Sequence, residues 1–108
     1  MIHLAILAML SLVPPVEAET CTASWYSSRE GSGSATASGR KLNDGELTAA
    51  HKTLPFGSRV KVRNRANGRT VTVTITDRGP FLKGRCIDLT PAARDALGMG
   101  GTATVDVE

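Results

Sequence analysis

The sequence is poor in the residues that build metal centres and aromatic cores. It has two cysteines, two histidines, one tryptophan, one tyrosine and two phenylalanines in 108 residues. One histidine, His3, lies in an apolar leading segment, so no cluster with metal-ligand spacing is left and we expect neither a metal nor a cofactor. No nucleophile triad stands out. A phosphate loop is excluded too, because the Gly and Ser residues of 31–39 lack the Gly-Lys-Ser/Thr ending.

Long apolar runs are also missing. The run from Leu4 to Val13 is far shorter than the roughly 20 residues that cross a bilayer. Two prolines and small residues before Ala18 follow it, which is typical of a cleaved secretory signal. We predict a signal at 1–18 and a mature domain at 19–108, exported to the periplasm or envelope or secreted, without a membrane span after cleavage. The alternatives are a retained anchor or a misassigned start.

Negative charge is in short supply in the mature domain. It keeps all 13 Lys and Arg residues and loses Glu17 from the 10 acidic ones, which leaves a net charge of +4. A basic surface attracts anionic partners, and export makes the bacterial envelope a better candidate than nucleic acid. The alternative is that the charge only keeps the domain soluble. We expect the domain to be a monomer.

Alternating apolar and polar residues predict several short strands. They are expected at Thr22–Tyr26, Leu47–Ala50, Arg59–Arg63, Thr70–Thr76 and Thr102–Val107. The inward residues of the fourth are expected to be Val71, Val73 and Ile75. Asn67-Gly68 predicts a type I′ hairpin, in which both central residues need positive φ.

One short helix is well marked, and the Ser- and Gly-rich stretch 27–39 is expected to be a surface loop. Thr90 can cap the helix, Pro91 fits its first turn, and Gly98 can end it in the left-handed conformation. Short strands with one helix favour a small closed β-barrel, although composition alone does not separate it from a sandwich.

The cysteines are Cys21 and Cys86. An even pair in a small exported domain suggests one disulfide. Attachment of a lipid to Cys21 is the alternative, but the preceding Glu19 and Thr20 do not suit a lipidation signal.

Two polar residues are candidates for chemistry. Asp77 follows the strand Thr70–Thr76 and precedes the turn-forming Arg78-Gly79-Pro80, which would place it at the mouth of a barrel. The alternative is that it accepts backbone hydrogen bonds and organises its own turn. His51 could orient or tune a carboxylate, or it could be a structural histidine that bonds the loop backbone.

Five blocks of sequence carry a recognisable pattern. They resemble the rare lipoprotein A (RlpA)-like family in order and spacing, and they cover nearly all of 19–108: Ala23-Ser24-Trp25-Tyr26, Thr36-Ala37-Ser38-Gly39, Leu47-Thr48-Ala49-Ala50-His51-Lys52-Thr53-Leu54-Pro55-Phe56-Gly57, Thr76-Asp77-Arg78-Gly79-Pro80-Phe81 and Ile87-Asp88-Leu89-Thr90. The resemblance implies a mainly β fold, a six-stranded double-psi β-barrel with one short helix.

The resemblance also implies an activity. Active members are lytic transglycosylases that cut the MurNAc–GlcNAc bond of naked peptidoglycan strands without water and leave 1,6-anhydro ends. One carboxyl group can act first as acid and then as base in such a reaction. Asp77 matches the family's acid and His51 its cleft histidine. Tyr26, Thr48 and Arg78 are expected to bind the glycan.

The chain departs from the family at two acidic positions. Active members often carry Gly-Glu-x-x-Asp where this chain has Gly39-Arg40-Lys41-Leu42-Asn43. Arg40 and Asn43 are then expected to bind substrate, and Asp44 or Glu46 could substitute for the missing acids. The departure leaves a second reading open, in which the domain is a non-catalytic, expansin-like glycan-binding module.

Overall fold

The structure is a computed structural model that describes residues 18–28 and 35–108. The predicted signal lies outside the described residues except for Ala18, and so does the middle of the Ser- and Gly-rich loop. None of the helices in the described ranges is long and apolar enough to cross a membrane.

Six strands and one helix make up the described fold. In chain order they are β1 Glu19–Trp25, β2 Thr48–His51, β3 Arg59–Asn64, β4 Thr70–Asp77, β5 Arg85–Leu89, α1 Pro91–Leu97 and β6 Ala103–Val107. The strands close into a barrel in the order β1-β5-β2-β4-β3-β6. This confirms the predicted six-stranded barrel with a single short helix.

The strand order mixes parallel and antiparallel neighbours. β1 is parallel to β5 and β2 is parallel to β4, whereas the other four pairs are antiparallel. Parallel neighbours need long connections, so both parallel pairs join strands far apart in the sequence. The barrel closes where the first strand meets the last, with Glu19 opposite Val107.

The core fills the inside of the barrel with small and β-branched side chains. The predicted inward residues of β4 are all buried, and alternate residues of β3 face them. Ile87, Leu89, Val105 and Leu97 complete the centre with no solvent exposure.

The helix begins and ends as predicted. The Thr90 hydroxyl accepts a hydrogen bond from the Ala93 amide, and Pro91 occupies the first turn. Gly98 ends the helix at φ 63°. This left-handed backbone angle favours glycine, which has no β-carbon to strain it.

The hairpin prediction was wrong in its turn type. Gly68 has φ 76°, but no described residue other than glycine has positive φ, which rules out a type I′ turn at Asn67-Gly68. The loop is longer instead: the Gly68 amide bonds the Asn64 carbonyl, and Asn64 and Arg69 close the ladder. The Asn67 side chain is used elsewhere, donating to the Leu97 carbonyl at 3.0 Å.

The strand β5 was not predicted from alternation. Its burial pattern has two adjacent inward residues, Cys86 and Ile87. The register against β1 skips Cys86, pairing Thr22 with Arg85 and Ala23 with Ile87. A β-bulge of this kind breaks the period of two on which strand prediction depends.

The predicted disulfide is present. Cys21 in β1 and Cys86 in β5 are joined, with their Cα atoms 5.9 Å apart. Cys86 is almost fully buried, so the bond lies at the edge of the core between two parallel strands.

Candidate active site

The centre of the site is a row of four residues across neighbouring strands. Asp77 of β4 pairs with Ala50 of β2, Ala50 pairs with Asp88 of β5, and Asp88 pairs with Ser24 of β1. Laterally paired residues of a sheet point to the same face. All four face outward, because the residues next to them, such as Ala49 and Leu89, are buried in the core.

A β-bulge in β4 completes this row. In β4 the register against β2 skips Thr76, so that Ile75 pairs with Ala49 and Asp77 with Ala50. Without the extra residue, Asp77 would share the inward face with Ile75. Asp88 in β5 faces outward by ordinary alternation between the buried Ile87 and Leu89. Bulges often re-aim side chains next to functional sites, and here the bulge in β4 turns Asp77 outward, so that two carboxylates lie on either side of β2.

Asp77 is half-buried, and its two carboxylate oxygens have different partners. Oδ1 accepts hydrogen bonds from the backbone amides of Ala37 at 2.8 Å and Arg78 at 2.9 Å. Oδ2 accepts one from the Tyr26 hydroxyl at 3.3 Å. The turn-organising role considered from the sequence is therefore present at Oδ1. Among the described residues, the partner of Oδ2 is a side chain of the same groove.

The hydroxyl of Tyr26 is held in its protonated form. Its burial, and then the neighbouring charges of Asp77 and Asp88 with the hydrogen bond to Asp77, raise the pKa of Tyr26 well above its ordinary value. A phenol that stays protonated is a hydrogen-bond donor at every ordinary pH. Tyr26 therefore presents a hydrogen-bond donor to Oδ2 of Asp77.

A groove runs over this row and is called the Asp77 groove below. Its volume is about 380 Å³. The row forms its floor, Trp25, Tyr26 and Arg85 line its sides, and the segment 78–82 forms a rim. Phe81 of that rim is 84% exposed, so an apolar ring stands at the mouth of a polar groove.

Asp88 is a carboxylate of the site that was not predicted from the sequence. It is half-buried, lies in the Asp77 groove, and accepts a hydrogen bond from the Ser24 hydroxyl. A carboxylate between Ile87 and Leu89, in an otherwise apolar strand, was the available signal. The groove thus contains two carboxylates on strands that flank Ala50.

His51 lies at the end of β2, with its side chain only 7% exposed. Its Nδ1 accepts from the amides of Thr53 and Leu54, both at 3.1 Å, and its Nε2 lies 3.0 Å from Glu19 Oε1. Neither ring nitrogen contacts Asp77, and His51 does not line the Asp77 groove. These contacts match the alternative of a structural histidine that organises its loop.

Replacing His51 by Ala should therefore lower stability, because two loop amides lose their acceptor. We expect a loss on the order of 1–3 kcal/mol in the free energy of unfolding, measured by thermal or denaturant unfolding. His51→Asn is the matched control, since its side-chain oxygen can accept near the Nδ1 position, and it should recover most of the loss. Equal unfolding midpoints for wild type and His51→Ala would contradict this role.

Arg78 lines the Asp77 groove, but its guanidinium is already engaged. Its Nη1 donates to the carbonyls of His51 at 3.2 Å and Leu54 at 2.8 Å. Its Cζ lies 4.0 Å over the ring of Phe56. Arg78 thus ties the rim of the groove to the loop after β2.

The two positions that depart from the family, Arg40 and Asn43, do not line the Asp77 groove. The Arg40 guanidinium pairs with Glu46 at 2.7 Å, and both side chains are exposed. Asn43 accepts from the Gly45 amide within its own turn. Asp44 accepts from both the amide and the hydroxyl of Ser28.

Asn43, Asp44 and Glu46 line a separate pocket of about 530 Å³. Neither acidic candidate substitute reaches the Asp77 groove. The remaining predicted substrate residue, Thr48, is buried at the start of β2 and does not line that groove.

Residues 18–28 and 35–108 provide no group of three or more possible metal ligands at the Asp77 groove. The single grouping of possible ligands in these ranges is Glu19 with Cys21 and Cys86. Both sulfurs are consumed by the disulfide.

Known proteins resemble this chain along most of its length. A family model described as lytic transglycolase matches residues 18–108. "Probable endolytic peptidoglycan transglycosylase RlpA" of Nostoc sp. is 50% identical over 86 residues, which are 79% of this chain and 23% of that protein. "Endolytic peptidoglycan transglycosylase RlpA" of Pseudomonas aeruginosa is 51% identical over 89 residues, 81% of this chain and 26% of that protein. This chain thus spans about a quarter of the length of these relatives.

Among solved structures, the Streptomyces papain inhibitor superimposes with a TM-score of 0.66. The match covers 89% of this chain and 96% of the inhibitor at 22% sequence identity. An identity this low supports the shared fold alone.

Proposed function

Because this chain belongs to the lytic transglycolase family, we propose that it cleaves the MurNAc–GlcNAc bond of naked peptidoglycan strands and leaves 1,6-anhydro ends. It would do so as a monomer in the periplasm or cell envelope, after removal of residues 1–18, and without nucleic acid or a cofactor. The substrate is the glycan strand laid along the Asp77 groove.

One observation carries this proposal: the two oxygens of Asp77 are held differently. Oδ1 accepts hydrogen bonds from two backbone amides, whereas Oδ2 accepts one from the hydroxyl of Tyr26, which lines the groove. A carboxyl group fixed at one oxygen has a defined direction for proton transfer at the other. Such preorganisation is what a positioned general acid and base requires.

The reaction needs one proton donor that becomes the proton acceptor. Protonated Asp77 gives its proton to the GlcNAc O4 as the bond between O4 and the MurNAc C1 breaks. The MurNAc O6 then bonds to C1, and its proton returns to Asp77. Atoms balance without water, so one carboxyl group suffices where hydrolysis uses two.

The second carboxylate supports the same chemistry. Asp88 lies across Ala50 from Asp77 and keeps its orientation through Ser24. Positive charge develops at C1 as the glycosidic bond breaks, and a fixed negative charge nearby stabilises it. In this proposal Asp88 supplies the charge, while Arg40 and Asn43 contact the strand farther along.

His51 and Arg78 act as positioning residues in this scheme. The ring of His51 accepts hydrogen bonds from the backbone amides of Thr53 and Leu54, and the backbone carbonyl of His51 accepts one from the Arg78 guanidinium. Arg78 follows Asp77 directly in the chain. The pair thereby fixes the rim from which Asp77 projects.

Mass spectrometry of soluble products from denuded sacculi tests the activity. We expect fragments ending in 1,6-anhydro-MurNAc, each lighter by one water than a hydrolysis product. Fragments with ordinary reducing ends would contradict the transglycosylase mechanism. Retention on the sacculi with no released fragment would instead support the non-catalytic glycan-binding reading.

A further inference from the structure

A single basic side chain of the Asp77 groove is not explained by the chemistry above. The structure has three half-buried arginines in its described ranges, at positions 78, 85 and 94. Arg78 is bonded to two carbonyls, and Arg94 pairs with Asp95 at 2.9 Å and stacks on Trp25. For the guanidinium of Arg85, residues 18–28 and 35–108 provide neither a hydrogen bond nor a carboxylate within 4.0 Å.

The fold aims this guanidinium into the groove. Arg85 and Asp88 lie three residues apart on β5, a spacing that would put them on opposite faces of a regular strand. The bulge at Cys86 removes that difference, and both line the Asp77 groove. Three residues of strand span no more than about 10 Å between Cα atoms, so Arg85 and Asp88 belong to the same part of the groove.

Because the described residues leave the Arg85 guanidinium without a bonded partner, it is available to pair with an anionic group of a ligand. Neutral sugar hydroxyls do not require a guanidinium, whose planar fork fits a carboxylate with two parallel hydrogen bonds. The glycan offers one carboxylate per disaccharide, on the lactyl ether at C3 of MurNAc. It is free when the strand carries no stem peptide and becomes a neutral amide when a peptide is attached.

We propose that Arg85 is a carboxylate-binding subsite that recognises the free lactyl group of muramic acid in the Asp77 groove. This inference rests on the proposed function, because it takes the muramyl glycan as the ligand. It makes Arg85 the residue that distinguishes peptide-free strands from peptide-bearing ones. A stem peptide would remove the anion and leave the guanidinium unpaired, which is costly in a half-buried site.

Binding measurements test this subsite without relying on cleavage. Denuded glycan strands are compared with the same strands after carbodiimide coupling to methylamine, which neutralises the lactyl carboxylate. Affinities are measured in an Asp77→Asn background so that the strands stay intact. Amidation should weaken binding about tenfold to a hundredfold, the range expected for a charge-assisted pair.

The Arg85→Gln variant should weaken binding of the denuded strands by the same factor and bind both strands equally. Arg85→Lys should keep part of the discrimination, because it retains the charge without the fork. Arg59→Gln is the matched control, since it removes the same charge from the exposed face of β3. It should still bind the denuded strands more tightly than the amidated ones, by the same factor as the protein without this substitution. Folding of each variant is checked by its thermal unfolding midpoint.

Two results would overturn the subsite. One is equal affinity of the Asp77→Asn protein, with Arg85 intact, for denuded and amidated strands. The other is an Arg85→Gln variant that still binds the denuded strands more tightly than the amidated ones. The first needs no Arg85 variant and so decides even if substitution disturbs folding. Discrimination that depends on Arg85, together with no anhydro products from the wild type, would leave the subsite standing and refute the cleavage.

Discussion

Asp77→Asn is expected to abolish the 1,6-anhydro products. The side-chain oxygen of Asn can still accept from the amides of Ala37 and Arg78, which hold Oδ1 in the wild type. An amide at the other position can neither give nor take the required proton. Loss of a positioned acid and base costs about 10²–10⁴ in rate, measured as initial release of anhydro ends from denuded glycan.

The matched control is Asp106→Asn. Asp106 is also a half-buried strand carboxylate, but it lies on β6, pairs with Arg65 at 3.7 Å, and does not line the Asp77 groove. Its replacement should leave the product profile and rate unchanged. An Asp77→Asn protein that folds and releases the same products at the wild-type rate would refute the assignment of the acid.

Removing the disulfide is expected to have the largest effect on stability. Cys21 and Cys86 are 65 residues apart in the chain, and the chain-entropy model gives on the order of 4 kcal/mol for a loop of that length. A domain this small has little stability to lose. We expect the Cys21→Ser/Cys86→Ser protein to melt roughly 15–30 °C lower in differential scanning calorimetry.

Reduction of the wild-type protein should lower its melting midpoint similarly, whereas the same reductant should not affect the double variant. That second measurement separates the loss of the bond from any effect of the reductant or of the serine hydroxyls. Coincident midpoints for reduced and oxidised wild type would show that the bond contributes nothing to stability.

Local patterns predicted much of the fold. Alternation in β3 and β4 gave the inward residues, because each of these strands has one face on the core and the other in water. Thr90, Pro91 and Gly98 gave the helix bounds because capping depends on neighbouring backbone groups. The predicted type I′ turn at Asn67-Gly68 is not formed, and the Asn67 side chain bonds a distant carbonyl, that of Leu97, a contact that the local sequence does not encode.

The site was only partly predictable for a related reason. Asp77 stood out at the end of an alternating strand, but its lateral neighbours come from strands that are not adjacent in sequence. Asp88 was hidden because the bulge at Cys86 shifts its strand out of alternation. The contacts of His51 with Glu19, and of Arg40 with Glu46, depend on side-chain positions that no local pattern encodes.

The closure of the barrel has a consequence for how the protein acquires its structure. β6 pairs with both β1 and β3, so until the last residues are in place two strands keep bare edges that could recruit other chains. Pairings between the first and last strands also form slowly, because a long loop must be closed before their contacts can stabilise the fold. The nascent domain therefore stays open to aggregation until β6 docks.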